Sequence, residues 1–295
     1  MTAVTYAIAN QKGGVAKTTS ALALAAAMAE LDRAILLVDL DPQACLTFSL
    51  GYDPDRLVPS LHDVVVGRSR LVETVVQHPV ADLVPSNIDL AGAEVTLLSR
   101  PGREYLLRGE LANLLDSYDT VLIDCPPSLG VLTINGLTAA DQVLIPVQCE
   151  TLAHRGVAQL LETIQDVRRL TNRGLRVRGV VATLFDARTN HSRDVLRDLV
   201  DRYRLALVGP PVRRSVRFAE APASGRPILE HADHVPGAAA YRAIARRLLD
   251  LPVEDTLLDE AGWSREELAV LLEGAVPEVP GREGLGDWHE QGGGG

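Results

Sequence analysis

The chain has 295 residues and 27 arginines but only two lysines. Both, Lys12 and Lys17, fall in one glycine-containing stretch, KGGVAKTT, residues 12–19. A chain that otherwise uses guanidinium for positive charge keeps ammonium groups here. An ammonium is a compact point charge on a flexible stem, suited to a phosphate oxygen. The ordinary phosphate-loop pattern, G-x-x-x-x-G-K-[ST], fails at both glycines, where Gln11 and Ala16 stand. The chemistry still points to a triphosphate. Gly13 and Gly14 let the backbone turn its N–H groups onto an anion. A helix starting near Lys17 aims free N–H groups and its positive dipole end at the same place. Lys17 can reach the β and γ phosphates, and Thr18 can give a hydroxyl to Mg²⁺. Ala16 is expected at an ordinary negative φ, as at a helix start.

Carboxylates complete the constellation. Asp124 follows the apolar run TVLI, where a carboxylate would approach Mg²⁺ or its water. Asp39 and Asp41 follow AILLV in the segment DLDPQ, so one of them could orient or activate water against the γ phosphate, with Pro42 fixing the turn. Asp39 imitates the ribose-binding acid of a dinucleotide fold, but the G-x-G-x-x-G fingerprint is missing, which disfavours that alternative.

These residues need elements to hold them. Residues 2–9 read as a buried strand, 19–31 as an Ala/Leu-rich helix and 34–38 as a second strand, which makes a βαβ unit. Short apolar runs at 120–123, 143–147 and 177–184 read as further strands, and 205–208 as an edge strand. Helices are expected over about 152–170, 190–203 and 239–249. Strands that are apolar on both faces and alternate with helices indicate a mostly parallel twisted sheet covered on both sides, a three-layer α/β fold of the P-loop NTPase kind. The main domain is expected over 1–250. Residues 251–295 read as an acidic, loosely ordered, solubilising extension, with Ser264 and Glu267 capping one short helix in SREELAVLL; the alternatives are that it folds back on the basic third or binds a partner.

Composition narrows the function. The net charge is −10, yet residues 168–250 carry 17 Arg against eight acids, leaving room for a basic face that meets a phosphate backbone. The alternative is a solvated Arg/Asp helix surface. No apolar run reaches 18 residues, and no signal-peptide pattern opens the chain. Cys45, Cys125 and Cys149 form neither a disulfide framework nor a zinc pattern, so a cytoplasmic protein is expected.

At this point a resemblance is clear. KGGVAKTT resembles the deviant Walker A motif of the ParA/Soj partition ATPases, in the wider group that includes MinD and the nitrogenase iron protein. DLDPQ and VLIDCPPS are similar to that family's switch and Walker B segments. GVVATLFDARTNHSRDV and RRSVRFAEAPASGRPI match further stretches, so the resemblance runs over about residues 3–249. It implies that Lys12 reaches across an ATP-sandwich homodimer to the partner's phosphates, while Lys17 holds phosphate in its own subunit. Thr18 would bind Mg²⁺, Thr19 would contact the α phosphate, and Gly13, Gly14, Val15 and Ala16 would form the loop. Asp41 would position the attacking water, and Asp124 would serve the Mg²⁺ shell with Thr18 and Asp41. Ala16 departs from the commoner Gly. The resemblance also implies nonspecific binding to double-stranded DNA in the ATP state, through Arg188 and Arg217, with Arg213, Arg214 and Arg193 as weaker candidates. It further implies a nucleoid-associated location and a ParB-like stimulating protein. The acidic tail disfavours a MinD-like membrane helix, and the cysteines disfavour an iron–sulfur cluster, leaving Cys125 as a buried small residue. With the first strand starting near residue 3, the chain resembles the short chromosomal type. Another cargo, action beside a chromosome condensation complex, or an ATP-binding adaptor with negligible hydrolysis are the alternatives.

Overall fold

A computed structural model describes residues 3–151 and 153–271. Six strands, β1 (Val4–Ile8), β2 (Ile35–Asp39), β3 (Asp82–Val84), β4 (Thr120–Asp124), β5 (Gln142–Gln148) and β6 (Arg176–Thr183), form one sheet in the order β3-β2-β4-β1-β5-β6. All five pairings are parallel. Helix α1 (Lys17–Ala29) joins β1 to β2. Helices α2 (Cys45–Ser49), α3 (Leu61–Val65) and α4 (Leu71–Thr74) precede β3, and α5 (Leu90–Leu98) and α6 (Leu106–Leu111) precede β4. Next come α7 (Val131–Ala139) before β5 and α8 (Ala153–Leu170) before β6. After β6 follow α9 (Asn190–Tyr203), α10 (Arg217–Glu220), α11 (Ile228–His231), α12 (Pro236–Leu248), α13 (Asp255–Glu260) and α14 (Arg265–Leu271).

Right-handed crossovers that step to opposite sides of β1 put their helices on opposite faces. Accordingly α1 packs with α2 and α12, while α7 packs with α5, α6 and α8. Strands β2 and β4 are buried along their whole length, which explains why they read as unbroken apolar runs rather than alternating ones. The alanines of α1 let α12 come close, and the pair is pinned where the Ser20 and Tyr241 hydroxyls lie 2.9 Å apart in the core. Among the described residues no helix is long and apolar enough to cross a membrane.

Three expectations change. The strand expected at 205–208 shrinks to a single bridge, Val180 to Leu207, flanked by bonds from Val180 N–H to the Ala206 carbonyl and from Val208 N–H to the Val180 carbonyl. Gly209 and two prolines follow at once, and prolines have no N–H to extend the ladder. Strand β3 is not legible in the sequence, because three residues carry no period. The third change concerns the extension. Up to residue 271 it folds back, as the alternative reading has it: Leu258, Ala261, Trp263, Leu268 and Leu271 are buried in the common core. The Ser264–Glu267 capping box forms, with Glu267 N–H on Ser264 Oγ at 3.0 Å and Ser264 N–H on Glu267 Oε2 at 2.9 Å. The acidic run expected to be loosely ordered over 272–295 lies outside the described residues, as does residue 2.

Candidate functional site: a phosphate cradle at the carboxyl edge of the sheet

Strands β1, β4 and β2 lie side by side and end together. Asp124 pairs in register with Ile8 on one side and Asp39 on the other. The loop from β1 to α1 therefore opens over two carboxylates at the edge where open α/β sheets bind ligands.

That loop is held from several directions. Asn10 Nδ2 donates to the Pro146 carbonyl at 2.7 Å, and Asn10 Oδ1 accepts Lys12 N–H at 3.0 Å. Thr183 Oγ1, at the end of β6, donates to the Val15 carbonyl at 2.9 Å. Gly14 has φ +73°, and a Cβ on Gly13 or Gly14 would meet nothing within 4 Å, so the backbone there faces open space. Ala16 corrects the sequence reading. It lies in the left-handed region, φ 63° and ψ 38°, and no side chain caps the start of α1. The first N–H groups of α1 thus lack a side-chain acceptor, as an anion site requires.

Lys17 is buried, and its ammonium donates to the Lys12 carbonyl at 3.2 Å. Burial pushes its pKa down, against the pull of Asp124 and then Asp41. Asp124 is fully buried; the Thr18 hydroxyl approaches its carboxylate but makes no well-formed hydrogen bond to it, and neither oxygen has another partner among the described residues. Burial raises its pKa well above the usual carboxylate range. Asp39 adds to the rise, while Thr18 and Lys17 oppose it. A buried orphan carboxylate beside a hydroxyl and an ammonium is chemically suited to a hydrated hard cation on a phosphate. Among the described residues no group of three or more His, Cys, Asp and Glu forms a metal cage. Thr19 and Thr18 line a narrow recess with Phe218, Arg226 and Ile228.

The two carboxylates of DLDPQ separate cleanly. Asp39 is fully buried and faces inward, accepting Thr47 Oγ1 at 2.7 Å, Thr47 N–H at 2.9 Å and Asp41 N–H at 3.2 Å. Burial lifts its pKa to about 7 despite these donors. It ties the switch segment to α2 rather than facing a ligand. Asp41 accepts Gln43 N–H at 2.9 Å and is close enough to Lys17 to support its charge. Lys12 is partly exposed and pairs with Glu150 at 2.8 Å, with Gln148 Nε2 on the other Glu150 oxygen at 2.6 Å. Sequence reading missed Asn10, Thr47, Glu150 and Thr183. Glu150 and Thr183 sit at or just past the ends of β5 and β6, and that position was the available signal.

The arginines converge only in part. A parallel bridge between Phe185 and Arg213 brings the turn after β6 beside the segment entering α10. Exposed Arg188 grips Asp186 with Nε at 2.9 Å and a second nitrogen at 3.0 Å, and Arg214 is exposed nearby. Arg217, at the start of α10, pairs with Glu220 at 2.8 Å. Arg193 donates to the Ala187 carbonyl at 3.2 Å. Arg213 turns away: it lies over the Trp263 ring at 5.2 Å and donates to the Gly262 carbonyl.

A family profile described as an AAA domain matches residues 3–177. The sporulation initiation inhibitor protein Soj of Bacillus subtilis is 40% identical over 244 residues, covering 82% of this chain and 96% of that protein. The chain belongs to the ParA/Soj family. The chromosome partitioning protein ParA of Caulobacter vibrioides is 40% identical over 247 residues, covering 82% and 92% of the two chains. Among solved structures, a Mycobacterium smegmatis protein named cobyrinic acid a,c-diamide synthase, with a bound ATP analog and magnesium, is 52% identical. It covers 84% of this chain and 94% of its own, with a TM-score of 0.74. An ATP complex of Cyanothece McdA is 25% identical with a TM-score of 0.75, covering 85% and 98% of the two chains. The fold is that of the P-loop NTPases in this family.

Proposed function

We propose that this protein is a Mg²⁺-dependent ATPase that dimerises around ATP, binds double-stranded DNA without sequence preference and partitions a chromosome or plasmid. The observation that carries the reading is the orphaned, buried Asp124 beside Lys17 and Thr18 beneath an uncapped helix start. Lys17 holds phosphate within the subunit, the backbone of residues 13–16 donates to phosphate oxygens, and Thr19 meets the α phosphate. Lys12, partly exposed, leaves Glu150 to reach the nucleotide of the second copy. Thr18 and Asp124 are the groups that would hold Mg²⁺, with Asp41 beside them. Mg²⁺, when bound, neutralises charge on the phosphate oxygens. Asp41 orients the attacking water. Arg188, Arg214 and Arg217 contact the DNA backbone, where charge suffices and base-reading geometry is unnecessary. A ParB-like protein stimulates turnover, and the protein works in the cytoplasm on the nucleoid.

The test pairs two variants. Asp41→Ala is expected to bind ATP, to lose hydrolysis and to stay on DNA as a dimer. Arg217→Glu is expected to keep nucleotide binding while DNA affinity falls. Normal hydrolysis by Asp41→Ala removes the water role, and unchanged salt-dependent DNA affinity of Arg217→Glu removes the DNA face. The name of the 52% identical Mycobacterium smegmatis protein supports a second reading, ATP-driven amidation of a corrinoid carboxylate. Incubation with cobyrinic acid, glutamine and ATP separates the two, since only the second reading yields the diamide.

A further inference from the structure

The stretch that carries the family resemblance ends near residue 249, yet the chain continues into a small cap, α13 and α14, that packs onto the same core. Helix α13 packs on α12, and the turn after it, at Gly262 and Trp263, reaches two loops. Trp263 is 3% exposed, and its indole N–H donates to the Pro211 carbonyl at 2.9 Å. Its ring lies 5.6 Å from that of Phe185. Arg213 stacks on the Trp263 ring at 5.2 Å and donates to the Gly262 carbonyl. One side chain therefore touches both the turn that leads to Arg188 and the segment that leads through Arg214 to Arg217.

The geometry points to Trp263 as a positioning residue that braces the two arginine loops against each other, so that Arg188, Arg214 and Arg217 form one phosphate-binding face. The two segments meet along a short backbone seam, with Val212 N–H on the Ala182 carbonyl at 2.8 Å, Phe185 N–H on the Val212 carbonyl at 2.9 Å and Arg214 N–H on the Phe185 carbonyl at 3.2 Å. Trp263 packs over that seam through Phe185, Arg213 and Pro211. A buried indole with its N–H satisfied and a cation over its ring adds a side-chain clamp to this backbone seam. Arg213 serves as a strut in this arrangement and is not a DNA contact. The inference rests on the reading of this face as a DNA site.

The experiment uses the full chain with three substitutions: Trp263→Ala, Trp263→Phe and Gly262→Ala. The last keeps the indole but sets a Cβ 2.8 Å from Arg213 Cζ, at a φ of +77°. Affinity for a random-sequence duplex is measured with ATP across a salt series. Trp263→Ala and Gly262→Ala are expected to bind about tenfold more weakly, with a salt slope shallower by about one, as for one lost phosphate contact. ATP affinity and hydrolysis without DNA are expected to remain within about twofold, again an order-of-magnitude criterion. Trp263→Phe keeps a ring between Phe185 and Arg213 and is expected to recover most of the affinity. Backbone hydrogen exchange is followed at 185–188 and 211–217 without DNA, and is expected to rise in Trp263→Ala and Gly262→Ala only. If wild-type protein ignores DNA but exchange rises as stated, the DNA reading fails while the brace stands. If exchange in both loops is unchanged, or if Trp263→Phe binds as weakly as Trp263→Ala, the brace is overturned.

Discussion

Ala16 occupies a backbone conformation that most side chains avoid, with φ at 63° immediately before Lys17. A left-handed L-residue costs about 1–2 kcal/mol, and glycine there gives back about 0.4–1 kcal/mol through the freer unfolded chain. Ala16→Gly is therefore expected to stabilise the protein by about 0.8 kcal/mol in urea unfolding, the difference between the midpoints of those two ranges. A loss of stability would mean that the loop relaxes elsewhere. The position is visible in the sequence, since Ala stands where a glycine is expected, but its dihedral is not. The reading falls back on the usual geometry of a helix start. The same limit applies to Lys12. Two lysines in one loop are legible as phosphate-binding groups, but the Glu150 partner lies 138 residues away and only the β1–β5 pairing brings it near.

Asp39 shows how elements, rather than single residues, assign chemistry. Two carboxylates in DLDPQ look interchangeable, and the strand separates them: the last residue of β2 points into the core, while Asp41 has passed the strand end. Thr47 stabilises the inward choice by donating its N–H and hydroxyl to Asp39, and its oxygen also accepts Ser86 N–H at 3.1 Å. Thr47→Val removes the hydroxyl and leaves Ser86 N–H buried without its acceptor. It is expected to cost about 1–3 kcal/mol of stability, measured by chemical unfolding. At the far end of the sheet, the turn after β6 holds Arg188 against Asp186. That carboxyl is held down to about 2, chiefly by the Arg188 hydrogen bonds. Asp186→Asn removes an anion from the arginine face and frees a guanidinium. DNA affinity is expected to rise about threefold at low salt, with the difference shrinking as salt is added. An equal or weaker affinity would place Arg188 outside the contact.

On the scale of the whole molecule, the acidic total of −10 conceals a basic third, and the fold gathers part of that third at one end of β6. The parallel sheet and the order of its elements along the chain are legible because buried strands write themselves as short apolar runs. The cap is hidden for a related reason. Residues 251–295 carry eleven acids and nine glycines, so a handful of core positions, Leu258, Trp263 and Leu268 among them, is masked by its surroundings. Composition averages over a segment, whereas packing depends on a few side chains.

The shared register of β1, β4 and β2 carries one more consequence. Ile8, Asp124 and Asp39 sit on a single rung, and sliding any of these strands by one residue would turn its side chains to the other face. The sheet is thus a fixed anvil, and under the proposed ATPase cycle any difference between ATP and ADP forms falls to the connectors above it. Amide exchange in residues 35–39 and 120–124 is expected to be equally slow in both nucleotide states, with the contrast confined to residues 10–16 and 40–47. A nucleotide-dependent change within the strands would show that the anvil itself moves.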